Sequence, residues 1–399
     1  MFSKTLEGNL VRYNLYKIFT KRVFLPVIAI YLTTVGHLTL AQLAIIASIT
    51  AVTSVVMEIP TGYIADKIGH KTTLLWGALV TAVSPLFYIL MPNFAGGILG
   101  SVVFFAGGSF TSGATQAFMH ETLLSLGKES EYSKIMGKAQ SYGLLGNIVL
   151  VSLVPLTYSI YPTLPFILGF ICLCISFLLV LSFKDPSVHI EIKETKISFF
   201  QEVKNTLPAR FIVKMISTFI IFGIASATFE QSTLYRELVF KNLGIPVAYF
   251  GFILAFGSLL AAITGHYIHH LKKLKPERFF LFDILYIIGI LLIIGLSGNP
   301  VIIILAFCLV PAYDRTRNII YESIVFEEFP RSNYKATLLS IMNFCDFASA
   351  IWIPLVFAYT VSQFGIMKGH AIFGLILLAI LLPVLIGHNL IKKKTSIST

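Results

Sequence analysis

Apolar residues run through this chain in stretches of about twenty, each closed by a short polar turn. A helix needs ~20 apolar residues to cross the hydrocarbon core of a bilayer. The pattern predicts twelve such spans, over residues 13–35, 40–60, 72–91, 96–120, 135–157, 162–183, 209–231, 247–268, 279–297, 300–324, 336–360 and 370–391. The longest polar stretch between spans, Lys184 to Pro208, falls near the middle, with six spans before it and six after. Within it, Phe199, Phe200, Val203 and Leu207 beside Gln201, Glu202 and Lys204 predict a short amphipathic helix on the inner surface. The expected organisation is an all-α membrane protein with twelve transmembrane helices. Residues 1–183 form an N-terminal six-helix bundle, 184–208 a cytoplasmic linker and 209–399 a C-terminal six-helix bundle.

Composition agrees. The 399 residues are 56% hydrophobic and 12% charged, with a mean hydropathy of +0.84. Soluble domains carry about 25% charged residues. The net charge of +11 could suggest nucleic acid, but its distribution argues otherwise. With both termini inside, about 21 Lys and Arg lie on the inner side and about 6 within spans, leaving Arg236, Lys241 and Lys368 outside. The basic excess follows membrane orientation, and no groove-reading module accompanies it. Cys172, Cys174, Cys308 and Cys345 all fall inside apolar spans, with neither disulfide nor zinc spacing. Met1 to Arg12 carries no signal-peptide pattern, so the first span is expected to stay as a helix in a bacterial cytoplasmic membrane.

Between the second and third spans runs Gly62-Tyr63-Ile64-Ala65-Asp66-Lys67-Ile68-Gly69-His70-Lys71, read as a short basic turn bracketed by glycines. It resembles the loop between helices 2 and 3 of the major facilitator superfamily, Gly-x-x-x-Asp-Arg/Lys-x-Gly-Arg-Lys/Arg, with His70 at an arginine position. The second-half counterpart, Gly265-His266-Tyr267-Ile268-His269-His270, keeps the glycine and the basic character but loses the acid. Glu58-Ile59-Pro60-Thr61-Gly62, Arg12-Tyr13-Asn14-Leu15-Tyr16-Lys17 and Gly244-Ile245-Pro246-Val247-Ala248-Tyr249-Phe250-Gly251 resemble a bacterial drug-efflux-like subgroup. Two departures stand out, the first from that subgroup and the second from proton antiporters. Ser112-Gly113-Ala114-Thr115-Gln116-Ala117 replaces Ser-Gly-Ala-Asp-Glu-Ala, and the fifth span offers Gly137, Gly143 and Gly146 in place of a Gly-Pro antiporter pair.

The resemblance implies two bundles related by pseudo-two-fold symmetry, alternating access around a midplane site, and helices 1, 4, 7 and 10 lining it. It also implies a small-molecule substrate, membrane lipid as the other partner, a proton gradient in place of any cofactor, and a monomer. Asp66 would sit against the N-terminal end of helix 11, where unpaired N–H groups favour an anion, and latch one state. Lys67 and Lys71 would reach inner-side acids such as Glu121, and Glu58 would brace the latch or carry the coupling proton.

A charged side chain at mid-span costs ~2.5–3.5 kcal/mol on insertion scales, so each one needs a partner, water or a route to the interface. Helix 1 offers Lys17, Lys21 and Arg22, which either snorkel to lipid phosphates or make an electropositive cavity floor. Helix 4 offers Gln116 and His120, at i and i+4 on one face. Glu230 ends the seventh span as a gate, a proton site or a rim acid. Asp314, Arg315 and Arg317 crowd the tenth, where Asp314 and Arg317 could neutralise each other at i and i+3. Asp346 in the eleventh could pair with one of those arginines. The candidate cavity set is therefore Lys21, Arg22, Gln116, His120, Asp314 and Arg315. The coupling or gating set is Glu58, Asp66, Glu230, Arg317 and Asp346, beside the loop residues Gly62, Asp66, Lys67, Gly69 and Lys71.

Other chemistry is poorly represented. His266, His269 and His270 have metal-ligand spacing but lie in an interfacial loop where polar residues belong, so no metal is expected. There is no phosphate-binding Gly-x-x-x-x-Gly-Lys-Ser/Thr loop and no nucleophile–base set, so an enzyme is not expected. Gly96-Gly97 and Gly107-Gly108 read as close helix contacts. Two substrate classes compete. The resemblance favours proton-driven efflux of amphipathic drugs or metabolites; Lys21, Arg22 and Arg315 favour an anion such as a carboxylate metabolite or siderophore. A non-transporting receptor is the remaining alternative.

Overall fold

The first apolar span does not form one helix. In the computed structural model, α1 (Gly8–Phe19) ends where the Thr20 N–H bonds the Tyr16 carbonyl, and a 3-10 turn at Leu25–Val27 leads into α2 (Ile28–Thr34). Pro26 is the cause: it disfavours helical geometry at Leu25, and in a continuous helix its ring would strike the Arg22 carbonyl. Local bonds hold the break, Val23 N–H to Lys21 O at 3.0 Å and Leu25 N–H to Arg22 O at 2.9 Å. An unbroken helix would put Lys17 and Lys21 one turn apart on one face; instead Lys21 lies beyond the end of α1.

The described residues are 6–186, 209–266, 274–328 and 335–396; the expected linker helix lies outside them. After the broken first span come α3 (Leu40–Ile68), α4 (His70–Leu90), α5 (Phe94–Ser125), α6 (Tyr132–Leu153) and α7 (Leu164–Leu181). Then follow α8 (Ala209–Asn242), α9 (Phe250–His266), α10 (Pro276–Leu296), α11 (Pro300–Glu328), α12 (Lys335–Phe364) and α13 (Ile366–Ser396). Counting α1 and α2 as one span, this is the all-α twelve-helix arrangement, with no strand among the described residues. Eight helices among those residues are long and apolar enough to cross a bilayer on their own.

Two expected boundaries move. The Gly62–Lys71 segment is not a turn: α3 continues through Pro60 and Gly62 to Ile68, a 29-residue helix of about 43 Å. Its start is fixed by a capping box, in which Thr39 Oγ1 accepts from Gln42 N–H and Gln42 Oε1 accepts from Thr39 N–H. Only Gly69 reverses the chain, at φ +89° and ψ 149°, a conformation that side-chain-bearing residues rarely adopt. A Cβ on Gly62 would meet nothing within 4 Å. The seventh span is also longer than expected. α8 runs on to Asn242, so Glu230 is well inside a helix and not at its end. Arg236, expected on the outer side, is buried, with its Nη2 2.7 Å from Glu237 Oε1, and the adjacent Leu238, Val239 and Phe240 are buried too.

The chain packs as two units: Met1–Lys193 with Ile245–Ala255, and Glu194–Gly244 with Phe256–Thr399. In the first, α4 and α5 approach closely where a Cβ on Gly107 would lie 2.2 Å from Thr81 Oγ1 and 2.7 Å from its backbone nitrogen. Gly97 likewise packs on Ile46, whereas Gly108 faces open space. Tyr13 and Tyr16 of α1 join Phe118 and Phe183 in a buried cluster. Beside it, the amide of fully buried Asn9 bonds both ways with Lys184, Nδ2 to O at 2.8 Å and Oδ1 from N at 2.9 Å. This clasp ties the start of α1 to the residues just past α7.

Candidate substrate and coupling site

In the second unit the charges of α11 are organised by a residue that the sequence reading passed over. Asp283 is the one charged residue of α10 beyond its first turn, set in the apolar run Phe279–Leu296, and it is fully buried. Its Oδ1 accepts from Arg317 Nε at 3.0 Å and the Tyr313 hydroxyl at 2.9 Å; its Oδ2 accepts from Arg317 Nη2 at 3.1 Å and the Tyr321 hydroxyl at 2.8 Å. Arg317 also reaches α8, with Nη2 on the Phe222 carbonyl at 3.2 Å and Nη1 on Ser226 Oγ at 2.7 Å, while Nη1 further donates to Asn318 Oδ1 at 3.4 Å. The rings of Phe222, Tyr321 and Phe229 surround the guanidinium, with centroids at 5.0, 4.9 and 5.6 Å. A two-pronged, fully bonded pair of this kind joins α8, α10 and α11 and leaves little net charge.

Asp314, the partner expected at i and i+3, is only a secondary neighbour, its Oδ1 3.8 Å from Arg317 Nη1. It belongs with two other carboxylates. Asp346 on α12 lies within electrostatic reach of Glu230, Asp314 and Arg317, and Glu230 on α8 within reach of Asp314. Among the described residues no ion pair is made by Glu230, which is exposed, or by half-buried Asp346, so the expected Asp346–arginine pair is not formed with Arg317. The backbone of Arg315 is in α11, while its side chain falls outside what is described. Among the described residues, three carboxylates on three helices thus lie near Arg317, whose two-pronged bond goes to Asp283.

The first unit carries the opposite sign. Arg22, on the break between α1 and α2, is half-buried and donates from Nη2 to the Tyr88 hydroxyl at 2.5 Å. Four ring centroids lie around its guanidinium: Phe104 at 4.8 Å, Phe24 at 5.4 Å, Tyr88 at 5.8 Å and Phe105 at 5.9 Å. Lys17 and Lys21 are electrostatic neighbours of each other. Across from α1, Thr111 and Thr115 of α5 lie beside the Tyr16 hydroxyl, and on the same helix Ser112 and Gln116 are exposed at mid-length.

Nearer the helix ends the basic loop finds partners other than those expected. Glu121 pairs with His70, Nε2 to Oε1 at 3.5 Å; Lys71 reaches Asp185 at 2.8 Å; and Lys67 lies over the Tyr63 ring at 4.5 Å. The reason is placement: with α3 helical to Ile68, Lys67 is in its last turn, one turn beyond Tyr63, and His70 opens α4. His120 turns to Glu129, 3.4 Å away, against the edge of Tyr132. Lys128 donates to Glu7 at 2.8 Å and holds that carboxyl below its usual range. Glu58 and Asp66 are on α3, but their side chains are outside the described set, as are His269 and His270. Among the described residues no group of His, Cys, Asp and Glu is arranged to hold a metal ion.

Comparison with known proteins places this geometry. Over 380 residues the chain is 23% identical to an uncharacterized MFS-type transporter, YxaM, of Bacillus subtilis (strain 168), covering 91% of this chain and 90% of that one. It is 26% identical over 255 residues to the lactose permease of Klebsiella oxytoca, about 60% of each. Among solved structures it is similar to the nucleoside transporter NupG, with a TM-score of 0.75 at 14% identity, covering 98% of this chain and 99% of that one. A D-xylose-proton symporter gives 0.68 at 12% identity, covering 96% of each. The family model of the Major Facilitator Superfamily matches residues 16–354. With the twelve-helix fold and that match over most of its length, the chain belongs to the major facilitator superfamily and is a membrane transporter of small molecules, not an enzyme.

Proposed function

We propose that this protein is a secondary active transporter that uses protons to export amphipathic small organic molecules across a bacterial cytoplasmic membrane. The observation that carries the reading is the pair Glu230 and Asp346, close in charge to each other and to Asp314, with no ion pair of their own among the described residues and with Arg317 already bound to Asp283. Ionisable groups in spans are costly, and proton relays are one use that repays them. A carboxylate that gains a proton on one side of the membrane and loses it on the other couples flux to the gradient. The export direction is supported by the resemblance of Glu58–Gly62 to efflux-like members. Alternating access, cytoplasmic termini, a monomeric state and an Asp66 latch belong to the same proposal. The test is flux in proteoliposomes under imposed inside-acid and inside-alkaline gradients. Flux should respond to the gradient; indifference to pH removes proton coupling.

A second reading, in which the substrate carries negative charge, is favoured by one specific observation. Arg22 stands on the broken first span with aromatic rings and a hydroxyl for neighbours and no carboxylate among the described residues. Competition of carboxylates against a transported dye tests it. Inhibition by anions and not by matched amides is expected.

A further inference from the structure

We infer that Arg22 and the rings around it form a binding site selective for flat organic monoanions, aromatic carboxylates above all. This deepens, and rests on, the reading in which the substrate is anionic.

Two arginines in this chain are satisfied to very different degrees. Arg317 finds a two-pronged carboxylate, a hydroxyl and a carbonyl. Among the described residues the Arg22 side chain has one hydrogen bond, to the Tyr88 hydroxyl. Its Nε is buried without an acceptor, and no ion pair satisfies its charge among the described residues. Removing a cation from water without a counterion is costly, and four ring faces offset only part of that. An arriving carboxylate would supply the missing acceptor.

The surroundings define the rest of the ligand. Phe24 and Tyr88 are wholly buried and rigidly seated. Tyr88 is bonded to Ser101 Oγ at 2.8 Å, and Phe166 packs on both rings, with centroids at 5.0 and 5.5 Å. The ring of Tyr88 also occupies the space beside Gly100, where an added Cβ would lie 2.5 Å from it. That is the fixed wall. Phe104 and Phe105, by contrast, are half-buried and set edge to face at 5.7 Å, so their free faces can take a flat apolar body. One unused guanidinium edge suits one carboxylate, not a phosphate needing several donors. The charge of Lys17 and Lys21 on the same broken span disfavours cations.

Titration calorimetry of the full chain in detergent micelles tests this with benzoate, cyclohexanecarboxylate, benzamide and tetraphenylphosphonium. Benzoate should bind at least tenfold more tightly than benzamide and several-fold more tightly than cyclohexanecarboxylate. Arg22→Met should weaken benzoate at least tenfold. Phe104→Leu with Phe105→Leu keeps the charge and the Tyr88 bond; it should leave carboxylate binding in place and erase the preference for the flat ring. That pair keeps the test decisive if Arg22→Met does not fold. Equal binding of benzamide and benzoate, or unchanged binding in Arg22→Met, overturns the inference. Gradient-driven transport of tetraphenylphosphonium without binding of either carboxylate sinks this inference together with the anionic reading and leaves proton-driven export standing; cyclohexanecarboxylate binding as tightly as benzoate sinks the flat-ring preference and leaves the anionic reading. Absence of any gradient-driven flux, with benzoate still bound, sinks the transport proposal and leaves the site.

Discussion

Arg317 and Asp283 meet in a two-pronged ion pair, Nε to Oδ1 at 3.0 Å and Nη2 to Oδ2 at 3.1 Å, with both side chains fully buried. Removing one member leaves an uncompensated charge in the helix core. Asp283→Ala should therefore cost about 3–5 kcal/mol of stability. Arg317→Lys should rescue little, because an ammonium cannot reproduce the fork that reaches Asp283, Phe222 and Ser226 together. The double variant Asp283→Ala, Arg317→Met should be more stable than either single one. Thermal unfolding in detergent checks all three, and additive losses would show that the pair is not coupled.

The three neighbouring carboxylates should behave differently. Asp346→Asn and Glu230→Gln remove charges that have no ion pair among the described residues, so unfolding temperatures should hardly change. Proton-driven accumulation should fall at least tenfold in one or both, while substrate exchange without a gradient persists. Equal loss of both activities would assign these acids to substrate binding instead.

The two glycines that bracket the basic segment are not equivalent. Gly69→Ala places a side chain at φ +89° and ψ 149°, which costs on the order of 1–3 kcal/mol. Gly62→Ala falls inside α3 with nothing within 4 Å and should stabilise by about 0.5–1 kcal/mol. Chemical or thermal denaturation of the two variants should move in opposite directions.

Adjacent glycines on α5 make a similar contrast. Gly107→Ala drives a Cβ into Thr81 and its backbone, and should cost about 1–3 kcal/mol by forcing α4 and α5 apart. Gly108→Ala meets nothing and should be neutral or better. Unfolding midpoints that are equal for the two would mean the helices yield freely at this contact.

How much of this could be read in advance follows from what each feature depends on. The twelve spans were legible because a bilayer demands long apolar runs whatever the tertiary contacts. The break before Pro26 was partly legible, since proline signals a disruption, though not that Lys21 and Arg22 leave the helix altogether. Asp283 had a readable signal, an acid alone in an apolar stretch, but its partner lies 34 residues away on another helix. Local spacing pointed to Asp314 instead, because i and i+3 is visible in a line of letters and packing is not. The Gly62–Gly69 segment misled for a related reason. Glycine inside a helix and glycine in a turn look alike until the backbone angles are known.

The clasp between Asn9 and Lys184 closes a contour of 175 residues, and that fixes an order of events in synthesis. While the ribosome is still making the early spans, the amide of Asn9 has only its local bond from Arg12 Nη1 at 3.2 Å, because the peptide group at Lys184 does not yet exist. Maturation of the amino-terminal half therefore waits for its sixth crossing to be translated. A nascent chain arrested short of Lys184 should leave the leading residues open to protease, and one arrested well beyond it should shield them.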